Sequence, residues 1–210
     1  MRLRAVVTVL AAAVLACDRH PPVPSRASVA PPTASDACQS DSAPGVSSDS
    51  IGVLDLSHSL AQLKRLCPSA APTVLYGEES ANDAIGFSFG AVSAVAWQAI
   101  TPDSALRLDS PADFWRVTGG PARLPRGLTL ASHMHDLRAA FGAGVAQVQA
   151  TATVEFCGLP DLQFEFPVAD GVPRNGPTTD LSVVPDSAAP TFVDVSRKPG
   201  YSFCVRSPLP

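Results

Sequence analysis

Positive charge is scarce in this chain: 15 Lys and Arg stand against 19 Asp and Glu, a formal charge of −4 over 210 residues. Nearly all the basic residues are arginine and they lie scattered, so the basic face that nucleic-acid binding normally needs is missing. Long apolar runs are missing too. No stretch approaches the roughly 18 uninterrupted apolar residues of a membrane-spanning helix. No two cysteines stand in a C-x-x-C arrangement, which argues against a zinc site or a thioredoxin-like redox site. The regular βα alternation of the doubly wound enzymes is also absent, and no cofactor-binding motif is legible.

What is present begins at the N-terminus. Arg2 and Arg4 form a short positive region, and residues 5–16, AVVTVLAAAVLA, an uncharged one ending in a small residue. That order is the order of a signal peptide. Twelve apolar residues make a helix about 18 Å long, too short for a hydrocarbon core of about 30 Å. Residues 1–16 are therefore expected to be an export signal rather than a span, and without Arg2 and Arg4 the formal charge becomes about −6.

Val14-Leu15-Ala16-Cys17 resembles the lipobox of bacterial lipoproteins. The resemblance implies that Cys17 is the lipidated first residue of the mature chain, although a secretory peptide cut after Ala16 would read similarly. Pro21, Pro22, Pro24, Pro31, Pro32 and Pro44 interrupt the stretch that follows. Residues 17–50 are accordingly expected to be a lipid-anchored Pro/Ser-rich tether reaching on the order of 100 Å when extended. The implied location is the bacterial cell envelope, facing the periplasm or the outside. The membrane is then held through the Cys17 lipid.

Apart from Cys17 four cysteines remain, Cys38, Cys67, Cys157 and Cys204, an even number that suits structural disulfides in an exported chain and allows three pairings. Cys67 ends a predicted helix, where a bond to Cys38 would pin the tether. Cys157 and Cys204 each follow a phenylalanine in a strand-like run. The expected bonds are therefore Cys38–Cys67 and Cys157–Cys204.

An internal echo organises the remainder. At an offset of 74, Leu54-Asp55-Leu56 falls on Leu128-Thr129-Leu130, Leu60 on Met134, Leu63 on Leu137 and Lys64 on Arg138. Ser59 and Gln62 have the spacing of a capping box, and Leu60, Leu63 and Leu66 share one helical face. Met134, Leu137 and Phe141 do the same in the second copy, with Asp136 favoured in its first turn. Ile85-x-Phe87-x-Phe89 and Leu162-x-Phe164-x-Phe166 alternate as half-buried strands do, at an offset of 77. Further strands are expected within 73–76, 92–97, 151–157, 181–184, 191–195 and 201–205, while residues 110–117 suit helix or strand. The fold expected is α+β in two similar halves, 51–125 and 126–210, each a short helix packed on antiparallel strands. This pattern resembles the tandem αβ repeats of β-lactamase inhibitory protein and of small outer-membrane assembly lipoproteins, and the resemblance implies binding to other proteins.

Few residues invite a catalytic reading. Gly86-Phe87-Ser88-Phe89-Gly90 satisfies G-x-S-x-G, but that motif needs a strained strand-to-helix turn, and Ser88 sits inside an alternating run. His133 and His135 invite a metal reading. Two helical residues apart they would point about 200° from each other, but at the start of a helix they could converge. Glu78 and Glu79 fit a solvated turn. Of the aromatics, Trp97 is expected in the core, and Trp115 is left open between core and interface. The function expected is a non-enzymatic, membrane-tethered protein-binding or envelope scaffolding module with a protein partner in the envelope. The alternatives are an exported serine hydrolase using Ser88, or metal or small-ligand binding through His133 and His135.

Overall fold

In the computed structural model, residues 35–76, 81–98, 105–173, 176–197 and 202–206 are described. Residues 1–34, with Cys17, and the Glu78-Glu79 pair lie outside them. Two short strands, β1 (Ser50–Ile51) and β2 (Leu54–Asp55), form a hairpin ahead of helix α1 (Leu60–Leu66). The hairpin turns at Gly52, whose φ is +56° and where a Cβ would come within 2.9 Å of Pro44. Only glycine takes both that conformation and that approach at little cost.

Then come β3 (Ala71–Tyr76), β4 (Ala81–Phe89), β5 (Val92–Trp97) and β6 (Phe114–Thr118). After a connection containing a single 3-10 turn follow α2 (Met134–Phe141), β7 (Gly144–Val148), β8 (Ala152–Phe156), β9 (Leu162–Phe166), β10 (Gly176–Thr178), β11 (Phe192–Ser196) and α3 (Phe203–Arg206). The strands from β3 onward make one nine-stranded sheet in the order β10-β7-β8-β9-β11-β6-β5-β4-β3, and every pairing in it is antiparallel.

The two-halves α+β expectation is overturned by this sheet. The fold is β-rich: its helices have only 7, 8 and 4 residues, and strands from both expected halves join in one continuous sheet. The last strand, β11, inserts between β9 and β6 and joins what the sequence pattern divided. Pairing of that kind depends on backbone hydrogen bonds between residues far apart in sequence, which leave no local periodicity to read. The sheet order also separates the two Phe-rich runs: β4 lies second from one edge, while β9 is an interior strand beside β11.

Other boundaries move as well. Residues 35–50, assigned to the tether, pack on the fold: Cys38 and Val46 are buried, and the Cys38–Cys67 disulfide closes over α1. Asp36 accepts from the Cys38 N–H at 3.0 Å and the Ser69 N–H at 2.8 Å. Slight burial opposes its charge, but these hydrogen bonds hold its carboxyl below the usual value. Residues 181–183, expected as strand, form a 3-10 turn because Asp180 accepts from the Ser182 N–H. The run at 201–205, also expected as strand, carries α3 instead.

One face of the sheet carries the core. Phe87 and Phe89, Trp115 and Val117, Leu162, Phe164 and Phe166, and Val193 and Val195 point into it by strand alternation, and all are essentially inaccessible. Both longer helices cover this face, α1 with Leu60 and Leu63 and α2 with Met134, Leu137 and Phe141. The capping box is formed: the Ser59 N–H donates to Gln62 Oε1 at 2.8 Å, and the Gln62 N–H to Ser59 Oγ at 3.3 Å.

Beyond β5, Gln98 is buried and clamps the loop toward β6. Its Nε2 donates to the Arg107 and Pro111 carbonyls at 3.0 and 2.9 Å, and its Oε1 accepts from the Arg107 N–H at 2.9 Å.

Candidate functional site

The opposite face of the sheet divides into a covered end and an open one. Over β7 and β8 it is closed by the C-terminal segment. Glu155 points outward there, between the inward Val154 and Phe156, yet is fully buried, because its carboxylate accepts from the Phe203 N–H at 2.8 Å, from the Ser202 hydroxyl and from Gln163 Nε2. The Cys157–Cys204 disulfide holds the same segment down.

Toward β11, β6 and β5 the face is only half-buried. Inward Trp115 and Val117 leave Phe114 and Arg116 outward on β6; the same alternation turns Trp97 outward on β5, and Phe192 and Asp194 outward on β11. Register then sets these residues side by side: Trp97 opposite Phe114, and Arg116 opposite Asp194. Arg116 Nε and Nη2 each donate to one Asp194 carboxylate oxygen at 2.8 Å, a bidentate pair with about a quarter of each side chain exposed. The guanidinium carbon lies 3.6 Å from the Phe192 ring centroid and 5.8 Å from that of Trp97, and Trp97 stacks on Phe114 at 5.5 Å.

The electrostatics of the pair are opposed. Burial works against the Arg116 cation, but Asp194, helped by Glu165, more than offsets it and holds the guanidinium above its ordinary value. For Asp194, burial dominates and pushes the carboxyl up, against the pull of Arg116. Arg116 thus lies over the Phe192 ring, near that of Trp97, and is oriented by the Asp194 carboxylate, an arrangement in which cation–π attraction and the bidentate ion pair act together.

The residues singled out from sequence are distributed differently. Trp97, expected in the core, belongs to this open face, whereas Trp115 is wholly buried against Phe87 with ring centroids 5.3 Å apart. Ser88 is exposed in mid-strand on β4, in register with Ser93, and points away from the core face that Phe87 and Phe89 occupy. The helix bearing His133 and His135 packs on that core face, so the sheet separates the serine from both imidazoles. His133 and His135 themselves come together at the start of α2, with ring centroids 5.7 Å apart.

Arg116, Phe192, Asp194 and Glu155 were not singled out from sequence. A single charge at the centre of each of two apolar strands, Phe-Trp-Arg-Val-Thr and Phe-Val-Asp-Val-Ser, was the available signal.

The described part of the chain is thus a β-rich, disulfide-bonded fold with one sheet face half open. Among the described residues no helix is long and apolar enough to cross a membrane. No protein-family model matches the sequence, and no curated protein matches it. Among solved structures it is similar to one described as the uncharacterized protein yfeY from Escherichia coli, at 15% identity and a TM-score of 0.48. That match covers 73% of this chain and 99% of the other.

Proposed function

We propose that the protein is an exported, lipid-anchored component of the bacterial envelope that binds another protein through the open face of its sheet, without turnover. The observation that carries the reading is the half-exposed cluster of Trp97, Phe114, Phe192 and Arg116. Aromatic residues and arginine are the types most enriched at the centres of interfaces. The positive-then-apolar leader that ends just before Cys17 supports export and lipidation, and the disulfides suit an oxidising compartment. Residues 18–34 then serve as the tether, reaching on the order of 50 Å when extended. The hydrolase alternative has less support, because a serine nucleophile needs an adjacent base to be active at neutral pH and Ser88 is hydrogen-bonded to none among the described residues.

Two arms test the proposal in membranes of the producing cell. A photo-crosslinking residue in place of Trp97 or Phe192 is expected to give one adduct of discrete mass. The same residue in place of Asp109, on an exposed loop, is expected to give none. Equal labelling from all three positions, or no adduct from the sheet face, would overturn the binding surface. For the anchor, Cys17→Ser is expected to move the protein from the detergent phase to the aqueous phase or to leave it unprocessed; an unmodified Cys17 thiol in mature membrane-bound protein would contradict lipidation. Ester hydrolysis by the purified protein that Ser88→Ala abolishes would replace the binding reading with the enzymatic one.

A further inference from the structure

We propose that His133, His135 and Asp136 form a surface site for a divalent transition-metal ion of the zinc type, independent of the open sheet face. The reason lies in how His135 is committed. Its Nδ1 lies 3.0 Å from the Asp186 carbonyl oxygen, which can only accept, so Nδ1 carries the hydrogen. A neutral ring then has its Nε2 lone pair uncovered, and that atom sits 3.0 Å from Asp136 Oδ1. Two acceptors at that distance require a cation between them, either a proton or a metal ion.

His133 supplies the third group. It stands at the N-cap of α2, with extended backbone, so the 200° divergence of two helical residues does not apply. One ligand atom from each of the three side chains lies within 4.8 Å of the others. Bonds of about 2.1 Å to a tetrahedral ion place ligand atoms about 3.4 Å apart, a gap that rotation of exposed His133 can close.

The surroundings support a cation rather than an anion at this helix start. The Met134 N–H donates to the Ala188 carbonyl at 2.7 Å and the His135 N–H to the Asp186 carbonyl at 3.1 Å, so neither is offered to an anionic ligand. The nearby Arg138 charge is engaged by the Asp186 carboxylate at 2.8 Å. The Asp186 carbonyl acts as the outer-shell acceptor that commonly fixes the tautomer of a metal-bound histidine, and the His133 N–H, donating to Asp136 Oδ2 at 3.2 Å, orients the carboxylate. Two imidazoles and one carboxylate suit zinc, with a fourth position open, and offer too few oxygens for calcium.

The test is calorimetric titration of the purified full-length protein with zinc chloride and, separately, calcium chloride. Saturable binding of one zinc ion per chain and no heat from calcium is the expected result. His133→Ala and His135→Ala should each weaken zinc binding about tenfold or more, and Asp136→Asn should weaken it while keeping the far-ultraviolet spectrum. Because these substitutions also touch a helix cap, the unaltered protein gives a second readout: zinc should shift the imidazole resonances of His133 and His135 and leave those of His58 in place. Absence of saturable zinc binding, binding retained in the His133→Ala/His135→Ala double variant, or a zinc effect confined to His58 would each overturn the site and leave His135 sharing only a proton with Asp136.

Discussion

Removing the Cys157–Cys204 bond by Cys157→Ala and Cys204→Ala is expected to lower the free energy of unfolding by about 4 kcal/mol. The two residues are 47 apart in sequence, and a loop of that length, once closed, removes conformational entropy of this size from the unfolded chain. The Cys38–Cys67 bond closes 29 residues and should be worth slightly less, about 3.6 kcal/mol on the same account. The first loss also has a local signature. The C-terminal segment touches the sheet through Cys204 and through the buried Glu155 carboxylate, and without the disulfide the hydrogen bonds from Ser202 and Phe203 must hold it without a covalent link. Residues 202–206 should then exchange their amide hydrogens faster than the strands do. Denaturant titration measures the global effect, and hydrogen exchange the local one. An unfolding free energy within about 1 kcal/mol of the parent, with the segment still protected, would show that Glu155 suffices.

Trp115→Ala is expected to cost about 3–5 kcal/mol, the range for truncating a large aromatic in a packed core. Trp115 is fully buried and lies against Phe87, with Ala96 opposite it on β5 and Val195 opposite it on β11. Its strand is central, so the void would open where β11 and β6 join the two parts of the sheet. Its indole Nε1 has no hydrogen-bond partner among the described residues, so removing the ring also removes an unsatisfied donor and moderates the loss. Trp115→Phe should accordingly cost much less than the alanine variant. Equilibrium denaturation of both variants checks the order; equal losses would mean that the indole volume does not fill this site.

The contrast between the two tryptophans shows what strand parity hides. On β5 both alternate sets are partly apolar, Val92, Ala94 and Ala96 on one side and Ser93, Val95 and Trp97 on the other. The sequence pattern favours turning the larger set inward. The structure turns the alanines inward because Ala96 faces Trp115 across the strand pair, and small residues there leave room for the indole. Parity was settled by a neighbour on another strand, and with it the placement of Trp97 on the open face.

The candidate site was hidden for a related reason. Arg116 and Asp194 stand 78 residues apart and meet only because β11 pairs with β6. Each charge was visible in its own strand, but nothing local could match one to the other.

By itself the sequence determined the features that depend on near neighbours: the Ser59 cap, the apolar stripe of α2 and the Leu60 and Leu63 part of that of α1, though Leu66 is exposed, the alternation of the Phe-rich strands and an even set of cysteines suited to disulfides. These are set by side-chain spacing of a few residues and by composition, which the chain carries whatever it packs against. Tertiary structure alone decided that the strands form one sheet, that Trp97 and Arg116 meet on its open face, that residues 181–183 and 203–206 coil, and that His133 and His135 converge. Each of these depends on contacts between distant segments, where the gain from burial and hydrogen bonding outweighs weak local preference.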